Sequence, residues 1–163
     1  MKKLLFAIII TGLILTGCGS GNNDEMQQIT DEMSNVTINE VYDTISALSS
    51  EKMVVLDDSL IENYYGINAS DFSEYVFAQA ESPMSAETII IAKAKDGIDI
   101  STYKNNIDNV IEQKTDEMNN YNLPEQAELL SKAEKKFNNN SLYVIISKEA
   151  PVMAETIEIG LGI

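Results

Sequence analysis

The stretch "AETIIIAKAK", residues 86–95, contains four consecutive β-branched residues, from Thr88 to Ile91. Such side chains pack well on a pleated sheet, so this stretch predicts a central strand. The stretch "FSEYVFAQAES", residues 72–82, has aromatic and small apolar residues in partial alternation, which predicts a second strand. Only a short connection containing Pro83 separates the two segments, so the simplest prediction is an antiparallel hairpin.

Helical patterns lie on both sides of this hairpin. Thr37 and Glu40 form a capping-box pattern that is typical of a helix start, and Gly66 is typical of a helix end. Pro124 suits the first turn of a helix, since proline lacks the N–H that would be unpaired there. The predicted helices are 37–49, 58–65, 100–121, a segment from Pro124 to Ala133 or Phe137, and 150–159, and a third strand is predicted over 141–147.

The predicted order of elements is α-α-β-β-α-α-β-α, with no internal repeat. This order predicts an α+β fold with a small, mostly antiparallel sheet of three to four strands packed by helices on one face. The helix over 100–121 is the expected cover, because Ile107, Val110 and Ile111 keep a 3.6-residue period. A sheet of three or more strands covered in this way has enough core for independent stability.

The stretch "LILTGCGSGNN", residues 13–23, contains the single cysteine of the chain, Cys18. Two lysines and an uncharged apolar run over 4–15 precede it, and that run is too short to span a bilayer but typical of a secretory signal peptide. Its end, Leu15-Thr16-Gly17-Cys18, resembles the lipobox of bacterial lipoproteins. The resemblance implies a diacylglyceryl thioether on Cys18 and cleavage between Gly17 and Cys18. A short anchor helix with an incidental cysteine is the alternative.

These features predict three segments along the chain. Residues 1–17 are a lipoprotein signal peptide, and residues 18–36 are the lipidated cysteine and a polar, flexible tether. Residues 37–163 form a single α+β domain. Two acyl chains anchor a protein lastingly, so we expect an exported protein on the outer face of the cytoplasmic membrane, bound to membrane lipid through Cys18.

The composition excludes several kinds of chemistry. The chain has no histidine and no arginine, which excludes a Ser-His-Asp triad, a histidine zinc motif and an arginine clamp. Acylation of Cys18 would leave no thiol for catalysis or metal binding. The formal net charge is −15 and the lysines form no basic stripe, so nucleic acid is not an expected partner. We expect no cofactor and no bound metal.

The stretches "AETIIIAKAKD", "YNLPEQAELL" and "NNSLYVIIS" are similar to a family of exported lipoproteins of Gram-positive bacteria, the domain of unknown function 4358. The similarity covers roughly residues 38–148. Members often have arginine in the long helix, and this chain has none. The resemblance implies architecture and location, not an activity. The residues that match the family pattern are Glu87, Ala94, Lys95, Asp96, Tyr121, Pro124, Glu125, Gln126 and Tyr143.

Within that pattern, Glu87, Glu125, Gln126 and Tyr121 form the candidate polar site. Two carboxylates that face one cleft could serve as acid and base in glycoside hydrolysis. The plainer interpretation is a structural polar cluster, with Glu125 in a first helical turn where negative charge is favourable. We assign no residue a catalytic role.

Two further patterns have plain structural interpretations. The sequence from Asp96 to Asp99 has too few oxygen ligands for a calcium loop and predicts a turn with a helix cap. The seven tyrosines could line a carbohydrate or peptide groove, and Tyr64 and Tyr65 are the pair most expected to be exposed. At helix and strand periods, aromatic residues more often belong to the core.

Two functional hypotheses follow. The first is a non-catalytic, membrane-anchored module that binds or modulates an envelope protein or a wall component. The second is a carboxylate-based hydrolase that acts on cell-wall glycan or peptide. A cleft between two carboxylates would favour the hydrolase, whereas an apolar groove would favour the binding module.

Overall fold

The computed structural model describes residues 36–163. The predicted signal peptide, Cys18 and nearly all of the tether lie outside the described residues. The helices are α1 (Ile38–Ser46), α2 (Asp58–Tyr65), α3 (Lys104–Asn120), α4 (Pro124–Ser131) and α5 (Ala150–Leu161), and the strands are β1 (Met53–Val55), β2 (Phe72–Ala80), β3 (Thr88–Ala94), β4 (Glu134–Phe137) and β5 (Ser141–Ile146). Short 3₁₀ turns precede β2 and α3.

The predicted central hairpin is confirmed. β2 and β3 pair antiparallel, with Phe77 opposite Ile90, and β3 occupies the middle position of the sheet. The capping box is also present, because the Thr37 side chain accepts from the backbone N–H of Glu40 while the Glu40 carboxylate accepts from the N–H of Thr37. α2 ends at Gly66, whose φ of 61° lies in the left-handed region that glycine adopts without strain.

The sheet has five strands, and the prediction of three to four was therefore too low. Its order is β1-β2-β3-β5-β4, and every pairing is antiparallel. Residues 53–55 were expected only as an apolar patch, but they pair with the end of β2. Residues 134–137 were expected to continue the helix from Pro124, but that helix ends at Ser131 and the segment pairs with β5.

Helices cover both faces of the sheet, so the prediction that they pack on one face is wrong. On the first face, α2, α3 and α4 pack on the side chains of Phe77, Ile90 and Val144. On the second face, α1 and α5 pack on the alternate side chains, which include Ile89 and Ile145. The fold is α+β with three layers, helices on either side of an antiparallel sheet.

The physical cause of the second helical layer lies in β3. Ile89, Ile90 and Ile91 are consecutive, so successive side chains point to opposite faces of the sheet, and each is at most 1% exposed. Burying one such side chain contributes about 1.5–3 kcal/mol. A strand that is apolar on both faces needs cover on both, and one helical layer would leave Ile89 and Ile91 in water.

Candidate functional site

A groove lies between α2 and α3, above the end of β2, with a volume of ≈ 140 Å³. Its floor and rim combine aromatic, apolar, amide and charged groups. The lining residues are Tyr64, Tyr65, Gln79, Val110, Gln113, Lys114 and Glu117. A few polar groups around an apolar surface are the usual composition of a small-ligand site.

Lys114 interrupts the apolar face of α3 where that face borders the groove. Ile107, Val110, Ile111, Lys114 and Met118 share one face of α3, since they recur at spacings of three and four. Ile107 and Met118 are buried at either end of this face, but Lys114 in the middle is only half-buried. A lysine packs its methylene stem on apolar surface while its ammonium stays nearer to water, and Lys114 lines the groove in the middle of this face.

The stem of Lys114 also borders a narrow apolar space of ≈ 10 Å³ beneath α3. Tyr65, Val110 and Lys114 line both this space and the groove, so the two adjoin. Ile90, Val144 and Ile146 of the sheet form part of the floor of the inner space. An apolar space of this size holds at most one water and offers that water few polar partners.

Lys114 forms no ion pair within 4 Å among the described residues, whereas five other lysines each pair with a carboxylate. Burial lowers the pKa of the Lys114 ammonium, and the negative charge of Glu117 opposes that shift only in part. The groove therefore holds a partly desolvated positive charge in a strongly acidic chain.

The two adjacent tyrosines differ in exposure. Tyr64 is 56% exposed and offers its ring to the groove. Tyr65 is 7% exposed and packs edge-on against Phe77, with ring centroids 5.4 Å apart. Burial raises the pKa of Tyr65 to about 12. The prediction of an exposed pair is correct for Tyr64 and wrong for Tyr65.

Two of the candidate polar residues are hydrogen-bonded at the segment that leads into β3. Glu87 is 3% exposed, and its carboxylate accepts hydrogen bonds from the Ser49 hydroxyl and, at 2.6 Å, from the Ser50 hydroxyl. Gln126 accepts from the backbone N–H of Ala86 at 2.8 Å. These bonds tie the segment after α1, the start of β3 and the first turn of α4 together. We call Glu87, Ser49, Ser50 and Gln126 the polar cluster.

The other two candidate residues lie on the surface. Glu125 is exposed in the first turn of α4, where the helix dipole favours its charge. Tyr121 is 65% exposed at the end of α3. Neither Glu87 nor Glu125 lines the groove, the space beneath it or either of the two wider concavities near Lys93 and Lys148. These four concavities of residues 36–163 therefore do not bring Glu87 and Glu125 together. Gly17 and Cys18 lie outside the described residues.

Residues 36–163 contain no group of three or more histidine, cysteine, aspartate or glutamate side chains arranged to hold a metal ion. Within the same residues, no helix combines the length and the apolar character needed to cross a bilayer.

The lining of the wider concavities is more exposed than a binding site usually requires. One of ≈ 580 Å³ lies between the end of α4 and the start of α5, and it is lined mostly by exposed residues such as Lys132 and Lys148. The groove differs because a half-buried lysine lines it together with aromatic and apolar residues. This combination makes the groove the candidate binding site considered below.

Sequence reasoning missed Lys114, although a signal for it was present. The apolar stripe of the long helix was traced through Ile107, Val110, Ile111 and Met118. Position 114 falls on the same stripe, where an apolar residue is expected and a lysine stands. A charged residue at a core position of an amphipathic helix indicates either a buried ion pair or a binding site.

The fold and the groove define a small three-layer α+β domain with a candidate ligand-binding groove on one of its helical faces. The chain belongs to the family whose model is described as Domain of unknown function (DUF4358), which matches residues 46–147. That match spans the end of α1 to the end of β5 and includes the whole groove. No curated protein and no solved structure matches the chain.

Proposed function

We propose that this protein is a lipid-anchored, extracytoplasmic domain that binds a component of the cell envelope through the groove between α2 and α3. The observation that supports binding there is the half-buried Lys114, which has no carboxylate within 4 Å among the described residues and lines the same groove as the exposed Tyr64. The lipobox pattern that ends at Cys18 supports the anchor and the location.

A non-catalytic role agrees best with the described geometry. The buried carboxylate of Glu87 is held by two serine hydroxyls, and Glu125 is exposed on a helix start. Hydrolysis of a glycoside would need two carboxylates about 5–9 Å apart on either side of a cleft. The polar cluster instead joins three segments of the chain, which is a structural role.

Anchoring is tested by membrane fractionation of cells that express the wild-type chain or Cys18→Ala. We expect the wild type to stay with membranes in high salt and its processing to be blocked by globomycin. The variant should accumulate unprocessed or be released. A wild-type chain that salt alone removes from membranes would contradict lipid anchoring.

Binding through the groove is tested by site-specific photo-cross-linking in intact cells. A photoreactive phenylalanine analogue replaces Tyr64 in one strain and Ile159 in a control strain. Ile159 is a matched control because it is 63% exposed and lies on α5, on the opposite face of the sheet. We expect adducts from position 64 that are absent from position 159. Equal labelling from both positions, or none from position 64, would refute the groove as the recognition surface.

A further inference from the structure

The residues that line the groove also indicate which class of ligand it binds. This inference depends on the proposed function, because it assigns a ligand class to the same groove. We propose that the groove binds a small organic monocarboxylate, with the carboxylate against the Lys114 ammonium and the apolar body on Tyr64 and Val110.

The charge of the ligand follows from the lysines of the domain. Lys52, Lys104, Lys132, Lys135 and Lys136 each have a carboxylate within 4 Å, at exposed or half-exposed positions. Lys114, Lys93, Lys95 and Lys148 have no such partner among the described residues. Of these four, Lys114 is the one on the apolar face of α3. An ammonium that has lost part of its water gains more from an anion than an exposed one does, because the local dielectric is lower.

Glu117 limits the ligand to one negative charge. This carboxylate lines the same groove, one helical turn after Lys114. A ligand with two negative charges would meet Lys114 with one and be repelled by Glu117 with the other. The amides of Gln79 and Gln113, which also line the groove, can donate to a carboxylate oxygen without adding charge.

The size and the apolar character of the ligand follow from the volume and the walls of the groove. The groove volume of ≈ 140 Å³ is well below the roughly 300–1,000 Å³ of sites for drug-sized ligands, so the bound part is small. The exposed ring of Tyr64, the half-buried Val110 and the methylene stem of Lys114 form an apolar wall. A planar or short aliphatic body fits this wall, and a sugar ring with a hydroxyl on every carbon does not.

The test is a titration of the purified chain with benzoate, followed by amide ¹H–¹⁵N NMR shifts. Benzamide is the matched neutral ligand and phthalate the matched dianion. We expect benzoate to shift the amides of Tyr64, Gln79 and Gln113, and benzamide and phthalate to bind about tenfold more weakly, the effect of about 1.4 kcal/mol.

Three variants test which charges of the site matter for binding. Lys114→Met keeps the length of the stem and removes the charge, and it should weaken benzoate binding about tenfold. Lys148→Met is the control, since Lys148 also lacks an ion pair within the described residues but lines another concavity, and it should change binding less than about twofold. Glu117→Gln should improve phthalate binding relative to benzoate.

Equal binding of benzoate and benzamide, or equal benzoate binding by Lys114→Met and the wild type, would overturn the ligand class. So would the absence of groove shifts at any benzoate concentration. If selective cross-linking from position 64 persists in that case, the groove is still the recognition surface but for another ligand. If the cross-linking also fails, the proposed function fails with it.

Discussion

A substitution at Gly160 in α5 tests how the helices of the second layer pack. A Cβ atom built on Gly160 would lie 2.9 Å from Cγ2 of Val41 in α1, closer than real Cβ contacts. Val41 is buried, and its β-branched side chain has few alternative rotamers, so it cannot turn away at low cost. The two helices therefore touch at a point where only glycine fits.

The expected effect of Gly160→Ala is a balance of two contributions. Alanine in place of glycine favours the helix by about 0.5–1 kcal/mol, and somewhat less near the helix end. Overpacking of a tight contact costs about 1–3 kcal/mol. The net prediction is a loss of about 1–2 kcal/mol in the free energy of unfolding.

A double-mutant cycle with Val41→Ala isolates the contact. Val41→Ala alone removes two buried methyl groups and should cost about 2 kcal/mol. In that background the new methyl group fills the vacated space, so Gly160→Ala should stabilise the protein by up to about 1 kcal/mol. The two substitutions should thus be coupled by about 1–3 kcal/mol.

The assay is urea unfolding of the four proteins followed by far-ultraviolet circular dichroism, with equal m-values as the check on two-state behaviour. Val152, an exposed residue of the same helix, offers a control at which alanine should have little effect. If Gly160→Ala changed stability by the same amount in the wild-type background and in the Val41→Ala background, the close contact between Gly160 and Val41 would be refuted.

The remaining predictions concern individual polar side chains. Glu87→Ala should destabilise the fold by about 3 kcal/mol, because two hydrogen bonds to its carboxylate are lost. Glu125→Ala should change the free energy of unfolding by no more than about 0.5 kcal/mol. Similar losses of stability in the two variants would contradict the structural role of the polar cluster. Thr37→Ala should cost about 1 kcal/mol through the lost helix cap, and Thr37→Ser should restore most of it. Burial raises the pKa of Tyr65 and Tyr143 to about 12, so their tyrosinate absorbance should appear well after that of exposed tyrosines. The unfolded chain loses these protons near pH 10, so the contribution of the two tyrosines to the free energy of unfolding should be fully present below about pH 10 and decline towards about pH 12. Full ionisation of all tyrosines near pH 10 in the folded protein would refute this.

The elements that sequence reasoning predicted correctly depend on near neighbours in the chain. The capping box at Thr37, the helix end at Gly66 and the hairpin of β2 and β3 each follow from residues a few positions apart. Local hydrogen bonds and side-chain periods decide such features, so the sequence contains nearly all the information about them. The number of strands was underestimated because edge strands are short and take their identity from a distant partner.

β4 illustrates this dependence on a distant partner. Its sequence, Glu-Lys-Lys-Phe, has the charges of an exposed helix face and no strand period. It is a strand because β5 has an open side, and Lys135 and Lys136 pair with Asp108 on α3 and Glu158 on α5 at 2.7 and 3.0 Å. Charged side chains on an edge strand also protect it from pairing with other chains.

For the candidate site, too, some features follow from the sequence and others only from the tertiary structure. The sequence alone determined the absence of histidine and arginine, the lipobox pattern and the polar residues at 87, 125 and 126. Only the tertiary structure decided that Glu87 is held by Ser49 and Ser50, and that Lys114 is half-buried beside Tyr64. Composition and short motifs are properties of the chain itself. Burial and charge pairing depend on residues that are distant in the chain and fold next to each other, because packing, not sequence proximity, sets the dielectric around a charge.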